Sequence, residues 1–174
     1  RRVLFRSEWS TERKNTPGKL VFKVLYDDIL DFSEGSPVRM RVDGDNVFFG
    51  FVFKQQRNKD KIITVTAYDQ LRYLKNKDTK VYEDKTASQF VKMVADDYAL
   101  NLGILDDTRY VIESRVEENT SMFEMIANAL DLTLTNTGEM YVLYDNFGKL
   151  TLQSLSSMYV GVPGAYLMID EETG

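Results

Sequence analysis

The sequence predicts an α+β protein, a small β-barrel carrying an inserted α/β subdomain. Three observations lead there. Apolar residues alternate with period two as far as Tyr68; the period changes to about 3.6 near Lys85, where capping-box patterns begin; and the alternation returns from Met140. With 43% hydrophobic residues in 174, the chain has ample apolar material for a packed core.

Residues 2–9 and 19–26 are short runs rich in aromatic and β-branched side chains. They are separated by a polar stretch that ends in Pro17-Gly18, so they read as two strands joined by a loop. Residues 37–43 and 46–56 flank Asp43-Gly44-Asp45-Asn46, where Gly44 and Asn46 are expected to supply the positive φ of a tight hairpin. Val47, Phe49, Phe51 and Phe53 alternate with Phe48, Gly50 and Val52, which predicts a strand covered on both faces. Gly50 within it marks a bulge or a close backbone approach. Residues 61–68 complete a meander that, closed by the first two strands, suggests a small barrel or sandwich.

In the next segment Thr86 and Gln89 form a capping-box pattern ahead of the stripe Phe90, Val91, Val94, Ala95 and Tyr98, with Gly103 as the expected stop. Ser121 and Glu124 repeat the pattern ahead of Phe123, Ile126, Ala127 and Leu130. Residues 110–116 read as a strand between the two helices. Residues 140–144 and 149–155 flank Asp145-Asn146-Phe147-Gly148 as a second hairpin, packed either on the first module or on the inserted unit. The expected division is therefore 1–78 for the barrel strands, 79–139 for the inserted α/β subdomain, 140–160 for a returning hairpin and barrel closure, and 161–174 for a linker that includes Val162-Pro163-Gly164-Ala165.

The chemistry open to the chain is narrow. It has no Cys and no His, which removes thiolate nucleophiles, imidazole bases and the usual zinc ligands together. Twenty-seven acidic against 22 basic residues give a net charge of -5, and the basic residues are scattered, which argues against a phosphate-binding face. The richest basic stretches, 54–61 and 75–80, carry turn formers and an Asp and read as solvated loops. No apolar run approaches the ~20 residues that span a bilayer, and the start Arg1-Arg2 leads into too short an apolar stretch for a signal peptide. Together these features describe a soluble, cytoplasmically made protein without a membrane or specific nucleic-acid partner.

Carboxylates remain as catalytic currency. Asp27-Asp28, Asp96-Asp97 and Asp106-Asp107 are adjacent in sequence, and adjacent side chains on a helix or strand point apart, so each pair reads as solvated surface. Asp43-Gly44-Asp45-Asn46 has oxygen ligands but lacks EF-hand spacing and a closing Glu, which favours the hairpin turn over calcium. A Tyr- and Phe-rich sheet is able to stack single-stranded bases, but here the aromatics occupy core-compatible alternate positions. No catalytic, cofactor-binding or metal residue is assigned, and no cofactor is expected.

Several stretches in order resemble the XkdQ/YqbQ-like tail hub proteins of phage-type contractile tails and tail-derived bacteriocins. They are Glu8-Trp9-Ser10, the strand Gly18-Lys19-Leu20-Val21-Phe22, the core Phe48-Phe49-Gly50-Phe51-Val52-Phe53, the exit Tyr68-Asp69-Gln70-Leu71-Arg72-Tyr73-Leu74, and Asn146-Phe147-Gly148-Lys149-Leu150-Thr151-Leu152. The resemblance implies a non-enzymatic baseplate hub, trimeric in its full-length form, located at the tail tip of a virion or tail particle. Its implied partners are the tail tube protein, the spike protein and other baseplate proteins. It also implies that Leu167-Met168-Ile169-Asp170-Glu171-Glu172 leads into a following domain. The alternative is a tail-tip cell-wall hydrolase that uses paired carboxylates.

Overall fold

A computed structural model describes residues 4–12, 15–26 and 32–158. The expected linker at 162–165, the stretch Leu167 to Glu172 and the pair Asp27-Asp28 lie outside them.

Five antiparallel strands form the first sheet: β1 (Leu4–Ser10), β2 (Lys19–Leu25), β3 (Pro37–Val42), β4 (Asp45–Arg57) and β5 (Ile62–Tyr68), in the order β1-β2-β5-β4-β3. Period two decides its faces. Leu20, Val24, Phe48, Val52, Ile63, Val65 and Ala67 point to one side and are buried there, packed together with Phe22, Val38 and Met40. Among the described residues β1 and β3 are edges of an open sheet; the hydrogen bonding that would close the expected barrel is not found between them.

The β3–β4 turn follows a different residue pair from the expected one. Asp43 (φ 52) and Gly44 (φ 95) are the left-handed residues, which is the two-residue type I′ geometry that matches strand twist. Asn46 instead lies in β4, where its side-chain carbonyl accepts from Arg41 Nε at 2.8 Å. β4 is covered unequally: Phe48, Gly50 and Val52 are buried, Phe49 and Phe51 are half-buried, and Phe53 is exposed. Gly50 is a close-approach glycine. A β-carbon there would stand 2.6 Å from Phe48 Cζ and 2.7 Å from the Tyr68 carbonyl carbon, while the β4–β5 register shift falls between Val52 and Lys54. The basic stretch from Lys54 continues β4 to Arg57 before turning at Asn58 to Asp60.

Asp69 then caps a 3₁₀ helix (Gln70–Lys75) that leads into β6 (Lys77–Thr86), α1 (Ala87–Asp97), β7 (Leu102–Leu105), β8 (Val111–Ser121), α2 (Met122–Thr137), β9 (Tyr141–Asp145) and β10 (Leu150–Ser154). Both capping boxes form as their spacing requires: Thr86 and Gln89 exchange hydrogen bonds at the start of α1, and Ser121 and Glu124 at the start of α2. Residues 75–80 are largely strand, not loop, because β6 pairs with β8 along its length and Lys80 is held between Asp78 (3.0 Å) and Asp97 (2.6 Å). β8 likewise runs past residue 116 to the α2 cap.

Helix α1 stops before Gly103. Ala99 takes the left-handed conformation (φ 50), its N–H reaches Asp96 O at 3.2 Å, and Leu100 N–H reaches Ala95 O at 2.9 Å, a Schellman closure. Gly103 lies in β7, where a β-carbon would stand 3.1 Å from Lys149 Cβ. Helix α2 ends at Gly138 (φ 73), whose N–H reaches Leu134 O at 2.8 Å.

The larger core belongs to this part. Phe90, Val91, Val94 and Ala95 of α1 meet Met122, Met125, Ile126 and Ala129 of α2, with Tyr82 and Ile112 below. Leu71 and Leu74 enter it from the 3₁₀ helix, and Leu150 and Leu152 from β10, so one apolar cluster runs from residue 71 to residue 152. Burying those two leucines of β10 contributes on the order of 4 kcal/mol.

Candidate functional site

The two parts meet where β5 leaves the sheet, and a cluster of polar residues fastens them there. Asp69 follows the last residue of β5 and starts the 3₁₀ helix. One carboxylate oxygen accepts the Leu71 N–H at 3.0 Å as an N-cap, and the other accepts the Gly18 N–H at 2.7 Å from the turn before β2. Its Oδ2 leaves no room for a side chain at residue 18. Next to it Gln70 pairs with the Asn101 backbone in both directions, accepting N–H at 3.0 Å and donating to the carbonyl at 3.2 Å.

The late hairpin completes the junction from the other side. Both packings left open in the sequence occur. β10 runs parallel to β7 and antiparallel to β9 in a three-stranded sheet, while the hairpin tip rests on the first sheet, where the Phe147 and Phe49 rings lie 5.9 Å apart. Phe147 (φ 50) and Gly148 (φ 84) form this turn, and Gly148 N–H donates to Asp145 Oδ1 at 2.7 Å. Asp145 Oδ2 is buried and has no hydrogen-bond partner.

Asp69 and Asp145 are thus the carboxylates that folding brings together. Burial, and then the nearby Asp145, push the Asp69 carboxyl up to about 7, against backbone donors that pull it down. Burial also raises Asp145. Pattern reading passes over this pair because 75 intervening residues separate them; the available signal was Asp69 at a strand exit, a capping position.

The pairs singled out in the sequence lie elsewhere. Asp96 is exposed and meets Lys92 at 2.6 Å, while Asp97 meets Lys80 across to β6. Asp106 accepts from Ser154 N–H at 2.9 Å and Asp107 from Arg109 N–H at 2.9 Å, so both serve loop structure. Among the described residues no group of three or more acidic side chains is arranged to hold a metal ion, and no helix is long and apolar enough to cross a membrane. The outward aromatics pack on one another: Phe49 on Phe51 at 5.5 Å, and Phe53 on Tyr68 at 5.3 Å, with Arg39 5.4 Å from the Phe49 ring centre.

One cavity of about 260 Å³ lies between α2 and β9. It is lined by Phe123, Ile126, Leu130, Leu134 and Tyr141 among others, with Glu12 and Thr16 of the β1–β2 loop over it. It holds no part of the Asp69–Asp145 pair. The cross-strand pair Val81 and Val116, 60% and 58% exposed, forms an apolar spot on the outer face of the β6–β8 ribbon.

The arrangement of an open antiparallel sheet followed by a helical unit is shared with a solved structure. The crystal structure of the 43 kDa tail protein of prophage MuSo2 from Shewanella oneidensis superposes with a TM-score of 0.65 at 13% identity, covering 88% of this chain and 52% of that one. A protein-family model described as YQBQ-like matches residues 7–173, and the chain belongs to that family. It is 34% identical over 152 residues to YqbQ of Bacillus subtilis (strain 168), covering 84% of this chain and 46% of that protein. It is also 34% identical over 124 residues to the phage-like element PBSX protein XkdQ of the same organism, covering 70% of this chain and 38% of XkdQ. The chain spans less than half the length of these curated relatives.

Proposed function

We propose that this chain is a structural component of a phage or phage-like contractile tail, acting as a hub that joins the tail tube to the central spike and baseplate without turnover. The observation that carries the reading is the family match across nearly the whole chain, with a relative that belongs to the phage-like element PBSX. The fold shared with a prophage tail protein supports it. The physical character of the molecule agrees. Its junction cluster fastens two parts of one chain to each other, and the buried Asp69 within it takes no part in lining the cavity beside α2.

In this reading the partners are the tail tube protein, the spike protein and other baseplate proteins. The full-length protein is a trimer, and further strands from this or a neighbouring chain complete the open sheet toward a barrel. Immunogold labelling of intact tail particles tests the assignment, with label expected at the tail tip only. Label along the tube or sheath, or on no particle, would overturn it. Purified chain added to cell walls is expected to leave turbidity unchanged, and clearing would favour a hydrolase.

A further inference from the structure

The charges of this chain are divided between its two parts. Residues 1–77 carry 16 basic and 10 acidic side chains, whereas residues 78–174 carry 6 and 17, so the sheet is net positive and the helical part strongly negative. Basic residues that are scattered in sequence are gathered by the fold.

Two exposed faces concentrate the difference. The first is the outward side of the β1–β5 sheet, opposite the buried Val24, Val52 and Val65. Cross-strand pairing sets Lys19 beside Tyr68 and Tyr68 beside Phe51 there, with Lys54 opposite Thr66 and Lys23 opposite Thr64 further along. Arg39 pairs with Phe49 toward the β3 edge, and Arg72 lies over the exposed Phe53 ring, 5.1 Å from its centre. None of these five basic side chains forms an ion pair with a described residue, and against them stands Glu8 of β1, opposite Val21.

The second face is the outer side of the β6–β8 ribbon. Its Val81–Val116 pair is flanked by exposed Glu83 and Glu118, each two residues along its strand and so on the same side. Neither glutamate has an ion-pair partner among the described residues. One face is thus aromatic with basic surroundings, the other aliphatic with acidic flanks. An apolar centre edged by charge of opposite sign to its partner's is the make-up of a protein–protein contact. On the sheet, Arg39 and Arg72 stand against the Phe49 and Phe53 rings where nucleobases would stack, which fits protein carboxylates better than a nucleic-acid strand.

We propose that copies of this chain associate head to tail, the basic outward face of the β1–β5 sheet in one copy receiving the acidic β6–β8 ribbon of the next. Because the two faces differ, the contact is heterologous, and each pair of copies keeps one face of each kind free for more. The contact depends on the charges of this chain and not on a place at the tail tip, so a failure of the tip labelling leaves it intact.

Sedimentation equilibrium of the whole chain is expected to show association at about 50 mM salt that weakens at least about tenfold at about 500 mM. Lys23→Glu with Lys54→Glu on the sheet, or Glu83→Lys with Glu118→Lys on the ribbon, should each raise Kd at least about tenfold. Mixing the two variants in equal amounts should restore association, since the first keeps the native ribbon and the second the native sheet face. A wild type that stays monomeric at about 1 mM in low salt, variants that associate as the wild type does, or a mixture no tighter than its parts would each overturn the proposal. Zero-length carbodiimide coupling of isotope-labelled with unlabelled wild type covers the case of a variant that does not fold. Links between copies from Lys19, Lys23 or Lys54 to Glu83 or Glu118 are expected, and links confined to other residues would overturn it too.

Discussion

Gly18 and Asp69, 51 residues apart, are joined by a 2.7 Å hydrogen bond from a backbone N–H to a buried carboxylate, with no volume left between them for a methyl group. A β-carbon at position 18 would press on Asp69 Oδ2 and stand 3.3 Å from its Cγ. Gly18→Ala is therefore expected to push the carboxylate out of its cap and to cost about 2 kcal/mol by urea denaturation. An unchanged midpoint would mean that the turn before β2 moves freely.

Gly50→Ala should cost more, on the order of 3 kcal/mol, because the clash is with the backbone of β5 rather than with a side-chain tip. Loss of the β-sheet signal in circular dichroism, with the helical signal kept, is the expected result. That outcome would also show that the helical part holds its fold when the sheet is damaged.

At the end of α1 the effect has the opposite sign. Ala99 is exposed and sits in the left-handed region at φ 50, where glycine is free of the β-carbon penalty. Ala99→Gly is expected to stabilise the protein by about 1 kcal/mol, raising Tm by roughly 2–4 °C in a calorimeter. A lower Tm would show that the Schellman closure is not what ends the helix.

Much of the fold was legible where a local rule decided it. The two capping boxes and the stripes behind them place α1 and α2 because both signals lie within one helical turn. The end of α1 was not legible, since Gly103 looks like the natural stop while Ala99 takes the strained conformation and Gly103 serves β7 packing. β6 was hidden for a related reason: Lys77, Asp78 and Lys80 read as loop, and only their pairing with β8 and the Lys80 ion pairs make a strand of them. The Asp69–Asp145 pair depends wholly on long-range topology, and nothing local in either segment announces the other.

Removing either capping box should be costly in proportion to its burial. Thr86 is buried and also touches Ser88 Oγ at 3.0 Å, whose N–H is held by the fully buried Thr108 at 3.1 Å. Thr86→Ala is expected to cost about 2 kcal/mol, and Ser121→Ala, at the more exposed end of α2, about 1 kcal/mol. Chemical denaturation of both variants side by side checks the order, which matters more than the values.

Thermal stability should peak in mild acid, at about pH 5. Above that, the stabilising proton on raised Asp69 is lost as pH climbs toward about 7. Below it, Asp78 and Glu124, both lowered by hydrogen bonds to Lys80 and Ser121 respectively, become protonated and give up their contributions as pH falls through the carboxylate range. A Tm profile from pH 3 to 9 that rises steadily to neutrality would contradict this balance.

Thr86 is both the last residue of β6 and the cap of α1, and Ser121 is both the last residue of β8 and the cap of α2. Each helix is thus welded to its strand with no connecting residue to flex. A load on the β6–β8 ribbon, whose outer face carries Val81 and Val116, would reach the starts of both helices without slack. Mechanically the ribbon and the helix pair are one stiff lever, each helix capped by the very residue that ends its strand.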